Sequence, residues 1–455
     1  MQLSKSVRDA EIAPGLIVAF IVLTALALIY FAWPVYRAFL PLQIDPRDAW
    51  NTLHADPILA GRPLYTPDYF VLNNYPPLSF YLLSAISAVT GFDELYIGRT
   101  LSLAATVAIA PAVWLCIRQL GGSRTGASLG ALWWFASIAR WFSFWVGTND
   151  PDLVALAMMM WALVLALRPA TGRRLELAIA IMAVAGFYKH NFIAIPTATL
   201  WWLALREPRR GLCLTLTGLG IVALGLAACA ALFGKVFFYN MLLPRHYGIG
   251  GLGDIGRTQF IAPALIVVII WILQCRRRDA CRFVLIFGAI SLLSFAVQSL
   301  ADGVSDNAMF ELVLATAIGI GCAFDDLGKI LPGRGWPLER RQPAVLGILI
   351  VRLLISQRMS PYLLLQSPEF RSDLNRRAAM MKSEAARIAS IPGPVDCSVT
   401  LACHFAGKQF AFDNFVVHEY IVTGRASGQD VAARIERLGI RLERVDPRVD
   451  INDLH

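Results

Sequence analysis

Long apolar runs, separated by short polar breaks, set the pattern of this chain. Runs long enough to span a bilayer, or nearly so, fall near 15–40, 98–120, 127–146, 153–168, 175–188, 192–205, 211–234, 260–275, 283–299, 308–324 and 342–358. That predicts about eleven transmembrane helices, since about 20 residues cross the hydrocarbon core. Several runs are short, which a membrane tolerates where the segment packs inside protein or lines a wet cavity. Lys189-His190-Asn191 interrupts one long stretch over 175–205. The first run follows Lys5 and Arg8 and carries Trp33-Pro34 where a cleavage site would need small residues. It is also longer than a signal peptide's apolar core, so it is expected to be an uncleaved first span.

The polar breaks alternate in charge. With the N-terminus inside, the inner loops hold Arg118 and Arg124; Arg168, Arg173 and Arg174; Arg206, Arg209 and Arg210; Arg276, Arg277, Arg278 and Arg282; Arg334, Arg340 and Arg341. The opposite loops are mixed or acidic. This is the positive-inside pattern. An odd number of spans places the tail outside. Residues 1–359 are thus read as the membrane domain and 360–455 as a small extracytoplasmic α/β domain. Within the tail, Asp430 to Leu438 has helical periodicity and the run from Ile440 alternates like a strand. Ser398 to Phe412 reads as strands joined near Gly407-Lys408.

The longest outer loop is 41–97. Asp48 to Ala60 predicts a short amphipathic helix with Trp50, Leu53 and Ile58 toward the membrane, capped by Asp45 with Pro46 in its first turn. Residues 78–90 are too short to cross and predict a helix along the membrane surface, rich in Ser and Tyr on one face.

Composition agrees: the chain has 455 residues, 57% hydrophobic and 16% charged. Soluble proteins carry about 25% charged residues, so lipid must cover much of this surface. The net charge of +9 is spread through the loops and does not indicate nucleic acid. Cysteine spacing shows no zinc motif. Cys397 and Cys403 lie in the polar tail, where a disulfide and a reduced pair are both open.

The outer loops hold the candidate chemistry. Asp45 and Asp48 lie in the first loop, and Asn149 and Asp150 at the next mouth. Lys189 and His190 form a break that reads either as a turn snorkelling to lipid or as an anion site. Arg245 and His246, then Asp306 and Asn307, occupy later loops. Each is unremarkable alone; together they converge on one membrane face.

These residues resemble a family. Asp45-x-x-Asp-x-Trp-Asn, Gly61-x-Pro-Leu-Tyr and Asn73-Asn-Tyr-Pro-Pro-Leu-Ser-Phe-Tyr are similar to the first outer loop of the GT-C superfamily, integral-membrane glycosyltransferases that use polyprenyl-phosphate sugars. The protein-mannosyltransferase and aminoarabinose-transferase types are nearest. Gly147-x-Asn-Asp-Pro-Asp, Phe187-x-Lys-His-Asn-Phe-x-x-x-Pro and Ala406-Gly-Lys-x-Phe-x-x-Asp fit the same group. The resemblance implies a GT-C-like helical fold, a polyprenyl-phosphate-sugar donor and an acceptor on the outer face: a glycolipid, polysaccharide or protein. It implies an acidic base in the first loop, for which Asp48 is the first choice and Asp45 the reserve. The family often has an Asp-Glu pair there; this chain has Arg47-Asp48. Single displacement then needs a base and cations at the departing phosphate: Lys189, Arg245, His246 and His190. Asp150 is the second catalytic candidate. Asp45, Asn51, Asn74, Tyr75, Asn149, Asp306 and Asn307 are the expected substrate contacts. The resemblance fixes no cofactor, and a divalent metal held by Asp150 stays open. The expected location is a bacterial inner membrane. A secondary transporter and a non-catalytic membrane protein with a degenerate site are the competing readings.

Overall fold

The computed structural model describes residues 14–168, 173–275, 278–327, 338–355 and 358–454. Lys5, Arg8, Arg276, Arg277 and Arg334, which belong to the basic-loop pattern, lie outside the described residues. Among the described residues, every expected apolar segment is helical over most of its length. The helices are α1 (Pro14–Ala38), α2 (Pro46–Leu59), α3 (Leu78–Thr90), α4 (Glu94–Gln119), α5 (Arg124–Trp141), α6 (Asp152–Leu167), α7 (Arg174–Tyr188), α8 (Ala194–Arg206), α9 (Pro208–Phe233), α10 (Lys235–Met241), α11 (Ala262–Cys275), α12 (Asp279–Gln298), α13 (Phe310–Ala323) and α14 (Leu338–Leu354). Five stretches are both long and apolar enough to cross a bilayer: α1, α4, α9, α12 and Asp306–Asp326 around α13. The protein is a helical polytopic membrane protein.

α13 is the axis of the bundle, with every residue buried. Close approach explains how α5 reaches it. A Cβ on Gly126 would lie 2.3 Å from the Gly321 carbonyl oxygen, and one on Gly130 would lie 2.6 Å from that of Ala317. Small residues let membrane helices touch backbone to backbone. α9 is peripheral, with 6% of its apolar window buried, and presents a leucine-rich surface to lipid.

Contacts sort the loops into two ends. At the C-terminal end of α13, Asp325 accepts hydrogen bonds from the Ser123 N–H and hydroxyl. Asp326 pairs with Arg278, and Arg206 with Asp279 at 3.8 Å. At its N-terminal end, Glu311 accepts from the N–H groups of Ala194 and Ile195 at 3.1 and 2.7 Å, meeting the exposed donors that open α8. Asn307 donates to Asp152 at 2.6 Å beside it. Basic loops collect at one end and the candidate site residues at the other.

The first outer loop is built from its caps. Asp45 accepts the Arg47 N–H and Pro46 opens α2. Trp50 does not face lipid. It packs on Tyr75 and His54, and its Nε1 donates to Asp413 at 2.7 Å. α3 separates the Ser and Tyr residues expected to share one face. Ser79, Ser84 and Ser87 point into protein, while Tyr81, Leu82 and Val89 are exposed. An apolar outward face is what a helix in contact with lipid requires.

The tail continues as α15 (Ser360–Gln366), α16 (Pro368–Ala389), β1 (Val395–Cys397), α17 (Thr400–Phe405), α18 (Asn414–Val422), α19 (Gly428–Leu438) and β2 (Arg441–Glu443). β1 and β2 pair in parallel, Val395 opposite Arg441. The helix over 430–438 and the strand after Ile440 are as the sequence predicts. The strands expected over Ser398 to Phe412 are replaced by α17. Cys397 and Cys403 are disulfide-bonded across its start. The Leu401 N–H donates to Gln43 of the first loop, and His404 reaches back to Asp56 and Asp93. These tertiary partners select a helical turn over an ambiguous alternation. The tail shares a core with the loop: Leu42, Ile44 and Leu95 pack with Leu374, Met381 and Val449.

Candidate active site

Where α2 meets the tail, a cavity of about 560 Å³ opens. Asp45, Arg47, Asn74, Tyr75, Arg245 and Asp413 contribute its polar lining. Of the sequence-selected residues, Asp45, Asn74, Tyr75 and Arg245 therefore share one wall. Asp45 pairs with Arg47 at 2.7 Å. The Arg47 guanidinium lies over the Trp145 ring, 3.6 Å from its centroid, a cation–π contact that holds the charge at the cavity edge.

Asp48 lies elsewhere. In the first turn of α2, it is fully buried and is not among the residues that line the cavity. Arg99 of α4, also fully buried, pairs with it at 2.7 Å. The Asn149 N–H donates to Asp48 Oδ1 at 2.6 Å and the Ile44 N–H to Oδ2 at 3.3 Å. Arg99 spends its remaining donors on the carbonyls of Ala38, Leu40 and Leu42 at the end of α1. This ion pair joins α1, α2, α4 and the Thr148–Asp150 turn.

A second buried cluster sits behind Tyr75. Lys189 Nζ is 3.0 Å from Asp152 and 3.8 Å from Asp150, and 3.4 Å from the centre of the Tyr75 ring. Lys189 is fully buried and does not snorkel. Asn51 donates to the Asn149 carbonyl at 2.8 Å, and Asn149 to Thr52 at 2.9 Å. Gly98 is required here, since a Cβ would fall 1.8 Å from Asn149 Oδ1. Asp306 pairs with Arg257. His246 is half exposed, bonded to Asp302 at 2.9 Å, and lies outside the cavity lining.

His190 faces a different space. An apolar groove of about 390 Å³ runs between α6, α7, α8 and α9, lined by Ile179, Met182, Phe187, Leu219 and Val222 and ending at Pro76 and His190. The His190 and Tyr75 rings lie 6.4 Å apart, so the linings of groove and polar cavity adjoin at this pair.

Arg99 was not selected from the sequence, and Asp152 and Asp413, which close two of the motifs that carry the resemblance, were given no role of their own. Arg99 lies in an apolar span where a lone charge is costly, and that cost was the available signal of a buried partner. Asp413 caps α18 and accepts from Trp50. Burial pushes its carboxyl above the usual range, against the pull of the Val416 N–H.

The family described as Dolichyl-phosphate-mannose-protein mannosyltransferase matches residues 74–233. No curated protein matches the chain by sequence. Among solved structures, ArnT from Cupriavidus metallidurans bound to undecaprenyl phosphate is similar at a TM-score of 0.59 and 15% identity, covering 93% of this chain and 91% of that one. The same protein in the apo state gives 0.59 at 13% identity, with the same coverage. The Archaeoglobus fulgidus oligosaccharyltransferase complex with Zn and sulfate is similar at 0.48 and 13% identity, over 82% of this chain and 55% of that one. The resemblance to the GT-C superfamily read from the sequence is borne out, and the fold is ArnT-like.

Proposed function

We propose that the protein is a membrane glycosyltransferase that moves a sugar from a polyprenyl-phosphate donor to an acceptor on the extracytoplasmic face, by single displacement. The observation that carries this reading is a polar cavity and an apolar groove whose linings adjoin at Tyr75 and His190. A substrate with a charged sugar head and a long hydrocarbon tail fits that pair of spaces. The likeness to ArnT bound to undecaprenyl phosphate supports it.

The chemistry follows from the lining. An acceptor hydroxyl attacks the anomeric carbon, and its proton passes to a carboxylate within hydrogen-bond reach. Asp45 takes that role, because it lines the cavity and Asp48 does not. The bond from the anomeric carbon to the phosphate oxygen breaks, and the electron pair leaves with the lipid phosphate. Arg47 and Arg245 offer cations from the lining, where donors aimed at developing charge act most strongly. Lys189 acts through the wall, holding Asp150, Asp152 and Tyr75 in place. The proposed orientation has the N-terminus cytoplasmic, and the cavity and tail outside, in a bacterial inner membrane.

The test is transfer in proteoliposomes with a panel of polyprenyl-phosphate sugars, beside glycan and glycolipid profiles of a deletion strain. One sugar absent from the envelope and accepted in vitro supports the reading. A complete envelope, with no donor consumed, overturns it.

A further inference from the structure

Away from the cavity wall, three chain segments bring metal-ligating atoms together. Ligand atoms of Asp302, His418 and Glu419 all lie within 4.8 Å of one another. Asp302 follows α12, and His418 and Glu419 lie on α18 of the tail. A fourth group, His246, approaches from the loop after α10, its Nδ1 2.9 Å from Asp302 Oδ2.

Glu419 is the decisive residue. It is fully buried. Its Oε2 accepts the His246 N–H at 2.6 Å. Its Oε1 has no hydrogen-bond partner among the described residues. A buried carboxylate oxygen without a partner carries its whole desolvation cost. A cation beside it removes that cost. His418 is exposed, so its imidazole can turn toward the other two without disturbing the core.

We infer that Asp302, His418 and Glu419 form a divalent transition-metal site of the Zn²⁺ class, with His246 orienting Asp302. Ligands around tetrahedral zinc sit about 3.3 Å apart, given bond lengths near 2.0–2.1 Å. Small side-chain rotations bring the present groups to that spacing. Imidazole with two carboxylates suits zinc and its neighbours, whereas magnesium prefers an all-oxygen, water-rich shell. A histidine bonded to a ligating carboxylate is a common way to fix ligand orientation.

The position gives the ion a task. The backbone between 246 and 302 is already paired: Asp302 N–H donates to the His246 carbonyl at 3.0 Å, and Gly248 N–H to that of Leu300 at 2.8 Å. Gly303, at φ +75°, lies so close to the Phe415 ring that a Cβ would fall 2.4 Å from it. Arg245 donates to the Asp302 carbonyl at 2.7 Å and lies over the same Phe415 ring. Gly303, Phe415 and Arg245 all line the 560 Å³ cavity. A metal here clamps two membrane-domain loops onto α18 and fixes that side of the cavity. This inference does not depend on the transferase reading.

The experiment uses the full chain without a polyhistidine tag, stripped with a chelator in detergent and dialysed against Zn²⁺. The expected result is one Zn²⁺ per chain by elemental analysis, not displaced by excess Mg²⁺, with a raised unfolding temperature. His418→Ala, at an exposed position, abolishes both effects, and Glu419→Gln does the same. His246→Ala weakens binding about tenfold or more. If Glu419→Gln fails to fold, His418→Ala decides alone. Parent protein that binds no more Zn²⁺ than His418→Ala overturns the inference.

Discussion

Arg99 Nη2 lies 2.7 Å from Asp48 Oδ2, and neither side chain is reached by solvent. The charge from α4 and the charge from the first outer loop neutralise each other where four chain segments meet. Removing one partner of a buried pair leaves the other uncompensated, at about 3–5 kcal/mol. Asp48→Asn is therefore expected to lower the unfolding temperature in detergent and to reduce activity through loss of folded protein. Asp48→Asn with Arg99→Met removes both charges and recovers part of the loss. A fully stable single variant would refute this account.

Asp45→Asn is expected to behave differently. Asn caps helices about as well as Asp, so α2 keeps its start, and losing the ion pair with the partly exposed Arg47 lowers the unfolding temperature by less than Asp48→Asn does. A general base contributes about 10²–10⁴ in rate, so kcat falls by that range while KM for the donor moves little. Turnover close to the parent's, in correctly inserted protein, moves the base elsewhere in the cavity.

The membrane part of the fold was legible because an apolar run must be a helix in lipid, whatever its partners. The caps of α2 were legible for a similar reason, since Asp45-Pro46 acts locally. The base was harder to read. Asp45 and Asp48 stand one turn apart on the same loop, and only the position of Arg99, fifty residues on, separates the buried one from the one in the cavity. Lys189 posed the same difficulty: a turn lysine and a buried lysine have identical neighbours in sequence, and Asp152 decides between them. The tail was misread at Ser398 to Phe412, where contacts to Gln43, Asp56 and Asp93 decide the conformation.

His404 gives a pH dependence. Its ring nitrogens lie 3.1 Å from Asp56 and 2.9 Å from Asp93, joining the tail to α2 and the start of α4. Burial disfavours its charge, but the two carboxylates outweigh burial and raise it to about 10. A histidine raised above its ordinary value of about 6.5 gives stability that is complete below that value and lost as pH climbs through the folded one. The unfolding temperature is expected to fall between about pH 6.5 and 10, with the tail becoming open to protease. His404→Gln is expected to be less stable at neutral pH and to lose most of that slope. A parent profile flat across this interval rules out a charged bridge.

The apolar groove provides a test of how the donor lipid is held. Gly186 lies in its lining, and a Cβ there meets nothing within 4 Å, so the side chain of Gly186→Phe starts into open space and is expected to occupy part of the groove. Each buried methylene of a lipid chain contributes about 0.8 kcal/mol. Displacing even two of them costs roughly 1.6 kcal/mol, or somewhat more than tenfold in affinity. Gly186→Phe should raise KM for a long-chain polyprenyl donor by at least about tenfold and leave kcat nearly unchanged. A donor analogue with one or two isoprene units, too short to occupy the groove, should be used equally well by parent and variant. If both donors lose equally, the substitution has disturbed the polar cavity, and if neither does, the tail lies along some other face of the bundle.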